Sequence, residues 1–356
     1  MFLTDSLPKA SSVYEPILDT GYVPDMLLRM GIRSLLAKRS ASLTYPTASA
    51  ADQTKTAYIK LLKDRESIAI HTKEANEQHY ELPTEFFQLC LGERLKYSSC
   101  LFEEGAKSLE DAEKAMLDLY CVRSGVKDGM RILDLGCGWG SLTLYLANKY
   151  PKSSVVGLSN SASQRDYILD QAKQRSLTNV TIHTADIVEF EMDAEFDRIF
   201  SIEMFEHMKN YQTLLAKVSK WLEPINGKLF IHVFAHKSMP YDFKTDEDNS
   251  WMAKFFFTGG TMPSQDLFMW FQRDLHVVDR WTINGQNYGK TSQEWLQRMD
   301  HNKQKIIPIF ESVYGSKEQA YVWFHRWRLF YLSVAETFNY NDGEEWFVVN
   351  YLLERK

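Results

Sequence analysis

The chain has 356 residues, 44% of them hydrophobic and 25% charged, with a formal net charge of −6 and a pI near 5.9. That length supports one large domain with insertions or two small ones, and the composition excludes a disordered or collagen-like chain. The acidic balance argues against a nucleic-acid partner, for which a basic face is expected.

The four cysteines, Cys90, Cys100, Cys121 and Cys137, fall in no metal-ligand spacing. They read as free thiols in a reducing compartment, and no metal is expected. The N-terminus carries early acids and lacks the ~7-residue apolar run of a signal peptide. No stretch approaches the ~18 consecutive apolar residues of a membrane span, so the cytosol is the expected compartment, with no stable membrane association.

Taken in order, Pro24 to Leu36 sets apolar residues at helical spacing. A Ser-, Thr- and Ala-rich loop is expected from Ser40 to Thr54, and a second helix from Ala57 to Arg65. Two later strings follow neither helix nor strand patterning: Glu77-Gln78-His79-Tyr80-Glu81-Leu82-Pro83 and Tyr97-Ser98-Ser99-Cys100-Leu101-Phe102.

Next comes Leu133-Asp134-Leu135-Gly136-Cys137-Gly138-Trp139-Gly140. Arg131 to Leu135 reads as a buried strand, alternate glycines make a turn, and Leu142 opens a helix. Such an element offers close backbone approach and free N–H groups to a nucleotide. A dinucleotide fold wants G-x-G-x-x-G and an acid about 20 residues on. Here the third glycine comes too early, and the second strand ends in Ser159 and Asn160, so a nicotinamide oxidoreductase is disfavoured.

From Asp128 onward strands and helices alternate. Strand runs are Arg131–Leu135, Ser154–Leu158, Val180–Thr184, Phe196–Ile202, Lys228–Phe234, Val277–Ile283 and Trp346–Leu353; helical patterns are Ser141–Lys149, Ser163–Ser176 and Tyr211–Trp221. Alternation implies an α/β fold with a mainly parallel sheet covered on both faces. Two insertions interrupt it. Residues 235–273 hold an acidic run, Asp242 to Asp248, expected as a solvated loop, and the aromatic stretch Trp251 to Phe257. Residues 291–340 are expected to hold two helices, the second from Glu318 to Phe338. Both follow strand ends where ligands bind in open sheets, so they read as a lid.

Ser201-Ile202-Glu203-Met204-Phe205-Glu206-His207-Met208 ends the fourth strand. A carboxylate can hold a cationic group, and a histidine with a pKa near neutrality can accept a proton. The plain structural alternative is capping of the next helix by acids.

The D-x-G-C-G-x-G string resembles motif I of the class I S-adenosylmethionine-dependent methyltransferases. With Ile202-Glu203-Met204-Phe205-Glu206-His207-Met208-Lys209-Asn210-Tyr211 and the terminal Asn339-Tyr340-Asn341-Asp342-Gly343-Glu344-Glu345-Trp346, the chain is similar to the cyclopropane-fatty-acid-synthase-like branch. Within that branch it most resembles the plant coclaurine-type N-methyltransferases, from about residue 20 to the C-terminus. The resemblance implies a Rossmann-like seven-stranded sheet with the last strand antiparallel. It also implies an N-terminal helical segment, 1–110, covering the active site of a cofactor-binding domain, 111–356.

The same resemblance assigns roles. Asp134, Gly136 and Gly138 lie against S-adenosylmethionine, Ser98 lies near its methionine carboxylate, and Asn160 precedes the helix from which Gln164 reaches the ribose. Asp186 meets the adenine amino group and Ile187 packs on the ring. Glu81, Glu206 and His207 engage a small-molecule amine, with Glu203 in the same acidic pair and Tyr80 and His79 beside Glu81. Phe257, Trp327 and Tyr331 are candidate aromatic walls. Lipid-modifying members hold a bicarbonate base with a Cys, a Glu, a His and a Tyr. Here Ser99 stands at the Cys position, Glu206 and His232 fit, and Tyr331 is the nearest tyrosine. The expected activity is N-methylation of an aromatic alkylamine by in-line transfer, with cyclopropane-type lipid modification and a silent cofactor-binding subunit as rivals. Members are often homodimers.

Overall fold

The computed structural model describes residues 10–69, 82–102, 105–245 and 251–356, with side chains from residue 14 onward. Strands β1 (Arg131–Leu135), β2 (Ser154–Ser159), β3 (Val180–Thr184), β4 (Arg198–Ile202) and β5 (Lys228–His236) pair in parallel. Strands β6 (Tyr241–Asp242) and β7 (Thr261–Met262) form a separate two-residue hairpin. Strands β8 (Leu275–Ile283) and β9 (Trp346–Arg355) complete a seven-stranded sheet ordered β3-β2-β1-β4-β5-β9-β8. As expected, the last strand is antiparallel to both neighbours.

Side chains alternate across the sheet with a period of two, so each strand feeds two cores. Ile132, Phe200, Phe230, Val348 and Leu352 enter one apolar cluster. Leu133, Ile199, Leu229, Ile231, Phe347 and Val349 enter the other. His232 shares the parity of Phe230 and sits opposite Asn350 in the β5–β9 register, which places a polar pair inside the first layer.

Before the sheet come α1 (Ala10–Asp19), α2 (Asp25–Ser42), α3 (Ala48–Lys63), α4 (Thr84–Cys90) and α5 (Leu109–Ser124). Within it lie α6 (Ser141–Lys149), α7 (Ala162–Gln174) and α8 (Tyr211–Trp221). The insertions add α9 (Trp251–Phe255), α10 (Gln286–His301), α11 (Lys303–Tyr314) and α12 (Lys317–Asn339). None of the described helices is long and apolar enough to cross a membrane.

Four expectations differ from the structure. The loop from Ser40 to Thr54 shrinks to a short link, because α2 runs to Ser42 and α3 starts at Ala48. Ala48, Ala50 and Ala51 favour helix, and the Thr47 side chain caps it by accepting the Ala50 N–H at 3.2 Å. The second insertion holds three helices, since the chain breaks at Asn302 between α10 and α11. Asp242 is no solvated loop residue: it accepts Lys209 Nζ at 2.6 Å and Tyr58 Oη at 2.8 Å. The boundary expected at 110 falls inside α5, whose Met116 and Leu117 share a core with Phe86 and Phe87 of α4.

Helix α2 buries no residue. Its partly buried Leu28, Ile32 and Leu36 pack against the core, and polar ties hold it down: Arg29 donates to Glu336 at 2.6 Å and to Gln293 at 2.6 Å, Arg33 donates to Glu336, and Ser40 donates to Glu345 at 2.8 Å. Hydrogen bonds to a charged group contribute ~1.5–3 kcal/mol each when well shielded. Glu336→Gln is therefore expected to speed hydrogen exchange of α2 amides ~10-fold or more while core amides keep their protection; unchanged α2 exchange would refute the charge-clamp account.

Candidate active site

Two cavities open at the carboxyl ends of β1 and β4, where the strand order reverses and open sheets bind ligands. The first, of about 1180 Å³ including its mouth, is lined by every residue expected at the cofactor: Ser98, Asp134, Gly136, Gly138, Asn160, Gln164, Asp186 and Ile187. The geometry has local causes. Gly136 has φ +82°, and a Cβ there would sit 2.8 Å from Met204. Gly138 has φ +51°, and a Cβ added to it would meet no heavy atom within 4 Å, so its backbone faces open space.

Polar groups in this cavity fit the ribose and methionine ends of S-adenosylmethionine. Gln164 Oε1 accepts the Ser159 hydroxyl at 2.7 Å, while its buried Nε2 has no protein partner. The buried Ser141 hydroxyl also has none. Burial pushes the Asp134 carboxyl up to about 6 despite the hydrogen bond from Thr143 at 2.7 Å. Asp186 Oδ1 accepts the Val188 N–H at 2.9 Å, which holds the carboxylate at the cavity wall. Lys96, missed in the sequence, lines the same wall and donates to Ser98 Oγ at 2.6 Å.

The second cavity, about 1840 Å³ with its mouth, lies between α2, the β6–β7 hairpin region, α10 and α12. Phe234, Phe257, Tyr288, Trp295 and Phe338 give it an aromatic wall. Tyr97, Glu203 and His207 line both cavities and so form the partition between them.

Glu203 sits at φ +50°, a left-handed conformation uncommon for a side-chain-bearing residue. Its Oε1 accepts the Ser99 N–H at 2.9 Å and pairs with His232 Nε2 at 3.1 Å; its Oε2 accepts the Tyr288 hydroxyl at 2.7 Å. Burial alone would raise this carboxyl. The His232 hydrogen bond, the Lys96 charge and the Ser99 N–H more than offset burial and hold it below the usual range. His232 is oriented from behind. Tyr120 Oη lies 2.9 Å and Asn350 Nδ2 3.2 Å from its Nδ1. Arg123 Nη1, which can only donate, takes Asn350 Oδ1 at 2.6 Å and so turns the amide nitrogen toward the imidazole. Nδ1 thus accepts, and the proton on Nε2 points at Glu203.

Glu206 behaves differently. It lines neither cavity, its Oε1 accepts the Phe234 N–H at 2.9 Å, and burial with the Glu203 charge pushes its carboxyl well up. Glu206, expected at the amine, thus faces the β5 backbone, while Glu203 lines both cavities. His207, tilted against Phe257 at 4.8 Å between ring centroids, is pulled down to about 4 by burial and Lys209, and is neutral near pH 7.

Of the expected aromatic walls, only Phe257 lines a cavity. Trp327 packs among Phe86, Phe87 and Phe256, and Tyr331 against Trp295 and Trp327. Along α12, Phe330, Val334 and Thr337 form the stripe facing the cavity. Phe324, Trp327 and Tyr331 form a neighbouring stripe that faces the core. The tyrosine that meets Ser99 and His232 around one carboxylate is Tyr288 of α10, not Tyr331. His79, Tyr80 and Glu81 lie outside the described residues.

The family model for mycolic acid cyclopropane synthetase matches residues 68–340. The chain is 38% identical to (S)-coclaurine N-methyltransferase of Thalictrum flavum subsp. glaucum over 98% of both chains. It is 40% identical to pavine N-methyltransferase of the same plant over 78% of both. A crystal structure of coclaurine N-methyltransferase bound to N-methylheliamine and SAH superposes with a TM-score of 0.94 at 39% identity, covering 97% of this chain and 100% of that one.

Two outcomes follow from this geometry. Gly138→Ala keeps the core but puts a methyl group at a strained φ facing the first cavity; S-adenosylmethionine affinity should fall ~10-fold or more for a stability loss of only ~1 kcal/mol, read by calorimetry and thermal melting. Glu113 accepts the N–H groups of Arg94 and Lys96 and so holds the turn leading to Tyr97. Burial raises its carboxyl from 4.5 to about 7, against the pull of those two N–H groups and the Arg94 and Lys96 charges. A raised folded value means its contribution to stability is complete below the unfolded value and lost as pH climbs through about 7. Glu113→Gln should therefore gain stability relative to the native chain as pH rises from about 5 to about 8, by at most ~3 kcal/mol; a difference independent of pH would contradict the assignment.

Proposed function

We propose that this chain, which belongs to the mycolic acid cyclopropane synthetase family and is an S-adenosylmethionine-dependent N-methyltransferase, methylates the nitrogen of an aromatic alkylamine or isoquinoline alkaloid. One observation carries the reading: Tyr97, Glu203 and His207 form the partition between a cofactor-type cavity and an aromatic-walled one. An amine nitrogen at that partition has an ionised carboxylate and a neutral imidazole beside it. Aromatic faces next to an ammonium add ~0.5–2 kcal/mol, which favours Phe234, Phe257 and Tyr288 as acceptor walls. The similarity to enzymes named for coclaurine and pavine supports the acceptor class.

Bound S-adenosylmethionine supplies a methyl group on a sulfonium, which passes to the amine lone pair as the carbon–sulfur bond breaks, so that the positive charge moves from sulfur to nitrogen. The protein's part is to present that lone pair. Glu203, kept ionised by its three donors, attracts and orients the ammonium form. His207, a neutral imidazole near pH 7, takes the proton from nitrogen and passes it to solvent through the second cavity. Orientation of the nitrogen at the partition supplies much of the acceleration. Glu206, bonded to the β5 backbone, fixes the turn that carries His207.

The test is mass-spectrometric product analysis with S-adenosylmethionine and a panel of phenylalkylamines, tetrahydroisoquinolines, benzylisoquinolines and unsaturated phospholipid vesicles. An amine gaining one or more methyl groups is expected; mass gained by the lipid alone, or by nothing while the cofactor binds, would overturn the reading. His207→Ala should lower turnover ~10²–10⁴-fold with cofactor affinity nearly unchanged.

A further inference from the structure

The first cavity is lined by three carboxylates, Asp134, Asp186 and Glu203, and by a single lysine or arginine among the described residues, Lys96. Lys96 is 2% exposed. Its ammonium donates to Ser98 Oγ at 2.6 Å and to Ser99 O at 2.6 Å, and lies 5.3 Å from the centroid of the Tyr120 ring. Its described contacts are a hydroxyl, a carbonyl and a ring face, all neutral. No described carboxylate comes within ion-pair distance of it.

A buried cation with no carboxylate in contact is costly, and burial pulls the Lys96 ammonium below its ordinary value against the attraction of the more distant Glu203 and Glu113. Such a charge persists in a fold when something it binds supplies the missing anion. The cofactor is a zwitterion at its methionine end, with an α-carboxylate, an α-ammonium and a sulfonium. The acids of the cavity suit its positive groups and leave the carboxylate without a partner, except for Lys96 and the free N–H groups at the start of α6.

We propose that Lys96 is the counter-ion of the cofactor's α-carboxylate, held ready by Ser98 and Ser99, and that it makes the cavity select ligands bearing that carboxylate. The placement has a further logic. Ser99 accepts Lys96 through its carbonyl and donates to Glu203 through its N–H. One serine backbone therefore separates the cation that meets the cofactor from the anion that meets the acceptor. The alternating charges keep Lys96 and Glu203 from neutralising each other directly. This inference rests on the cofactor and is independent of which amine is the acceptor.

The experiment compares binding of S-adenosylmethionine with that of decarboxylated S-adenosylmethionine, which lacks only the carboxylate, by titration calorimetry of the full chain. No acceptor is present, so failure of the amine assignment leaves the measurement intact. The native chain should prefer the carboxylate-bearing ligand ~10–100-fold, as one charge-assisted contact in a shielded site allows. Lys96→Met, close in volume, should reduce the preference below ~3-fold while binding the decarboxylated ligand as the native chain does, which also reports that the variant is folded. Lys96→Arg should keep most of the preference. A merely structural lysine would weaken both ligands alike. The proposal is overturned if Lys96→Met discriminates as the native chain does, since the α6 N–H groups then suffice. It is overturned equally if the native chain itself shows no preference, a result that needs no variant.

Discussion

A carboxylate removed from water must be given donors, and the burial of Glu203 draws them from three separate parts of the chain. The Ser99 N–H comes from the segment before the sheet, His232 from β5, and Tyr288 from the helix that opens the second insertion. Each donor is itself secured: Ser99 by Lys96, His232 by Tyr120 and Asn350, Tyr288 by stacking on Phe338 at 4.4 Å. The N-terminal segment, the sheet and the insertion thus meet around one negative charge. An ionised group that would destabilise a looser fold here sets how its layers join.

Much of the cofactor half was legible in the sequence, because its parts are local or fall at strand ends. Asp134, Gly136 and Gly138 lie within one strand and turn, and the alternation of strands and helices brings Asn160, Gln164, Asp186 and Ile187 to the same edge of the sheet. The acceptor half was not, because its contacts join residues far apart in sequence. Nothing in the neighbourhood of Tyr288 announces that it bonds to Glu203. Trp327 and Phe330 are three residues apart on α12 and both belong to the core, yet only Phe330 also lines the second cavity, which the docking angle of the helix decides. Two nearby glutamates in one motif were equally opaque. Glu203 lines the two cavities while Glu206 bonds to the β5 backbone, and their carboxyls shift in opposite directions. The lysine before Tyr97-Ser98 carries no sequence signal, because a lysine in a polar loop reads as solvated and its burial is a tertiary fact.

The two cavities are built to different standards of rigidity. Glycine turn, strand ends and the N-terminus of α6 frame the first, all anchored in the sheet. The second is closed by α2, by the β6–β7 hairpin and by α12, elements added around the sheet rather than within it. A common cofactor fits a fixed frame, while acceptors of varied shape suit a wall assembled from insertions.

The manner in which α2 is attached has a consequence for mutation. Ile32, Leu35 and Leu36 face the acceptor cavity, yet the helix that carries them buries no residue and is held by Arg29, Arg33 and Ser40 acting on Glu336 and Glu345. The residues that shape the cavity and the residues that fasten the wall are therefore different sets. Mutation of the cavity-facing residues can resize the cavity while the ion pairs to Glu336 and Glu345 still hold the wall, although Ile32 and Leu36 also pack against the core. Changes to the side chains of α2 that face the second cavity therefore leave its ionic fastening in place.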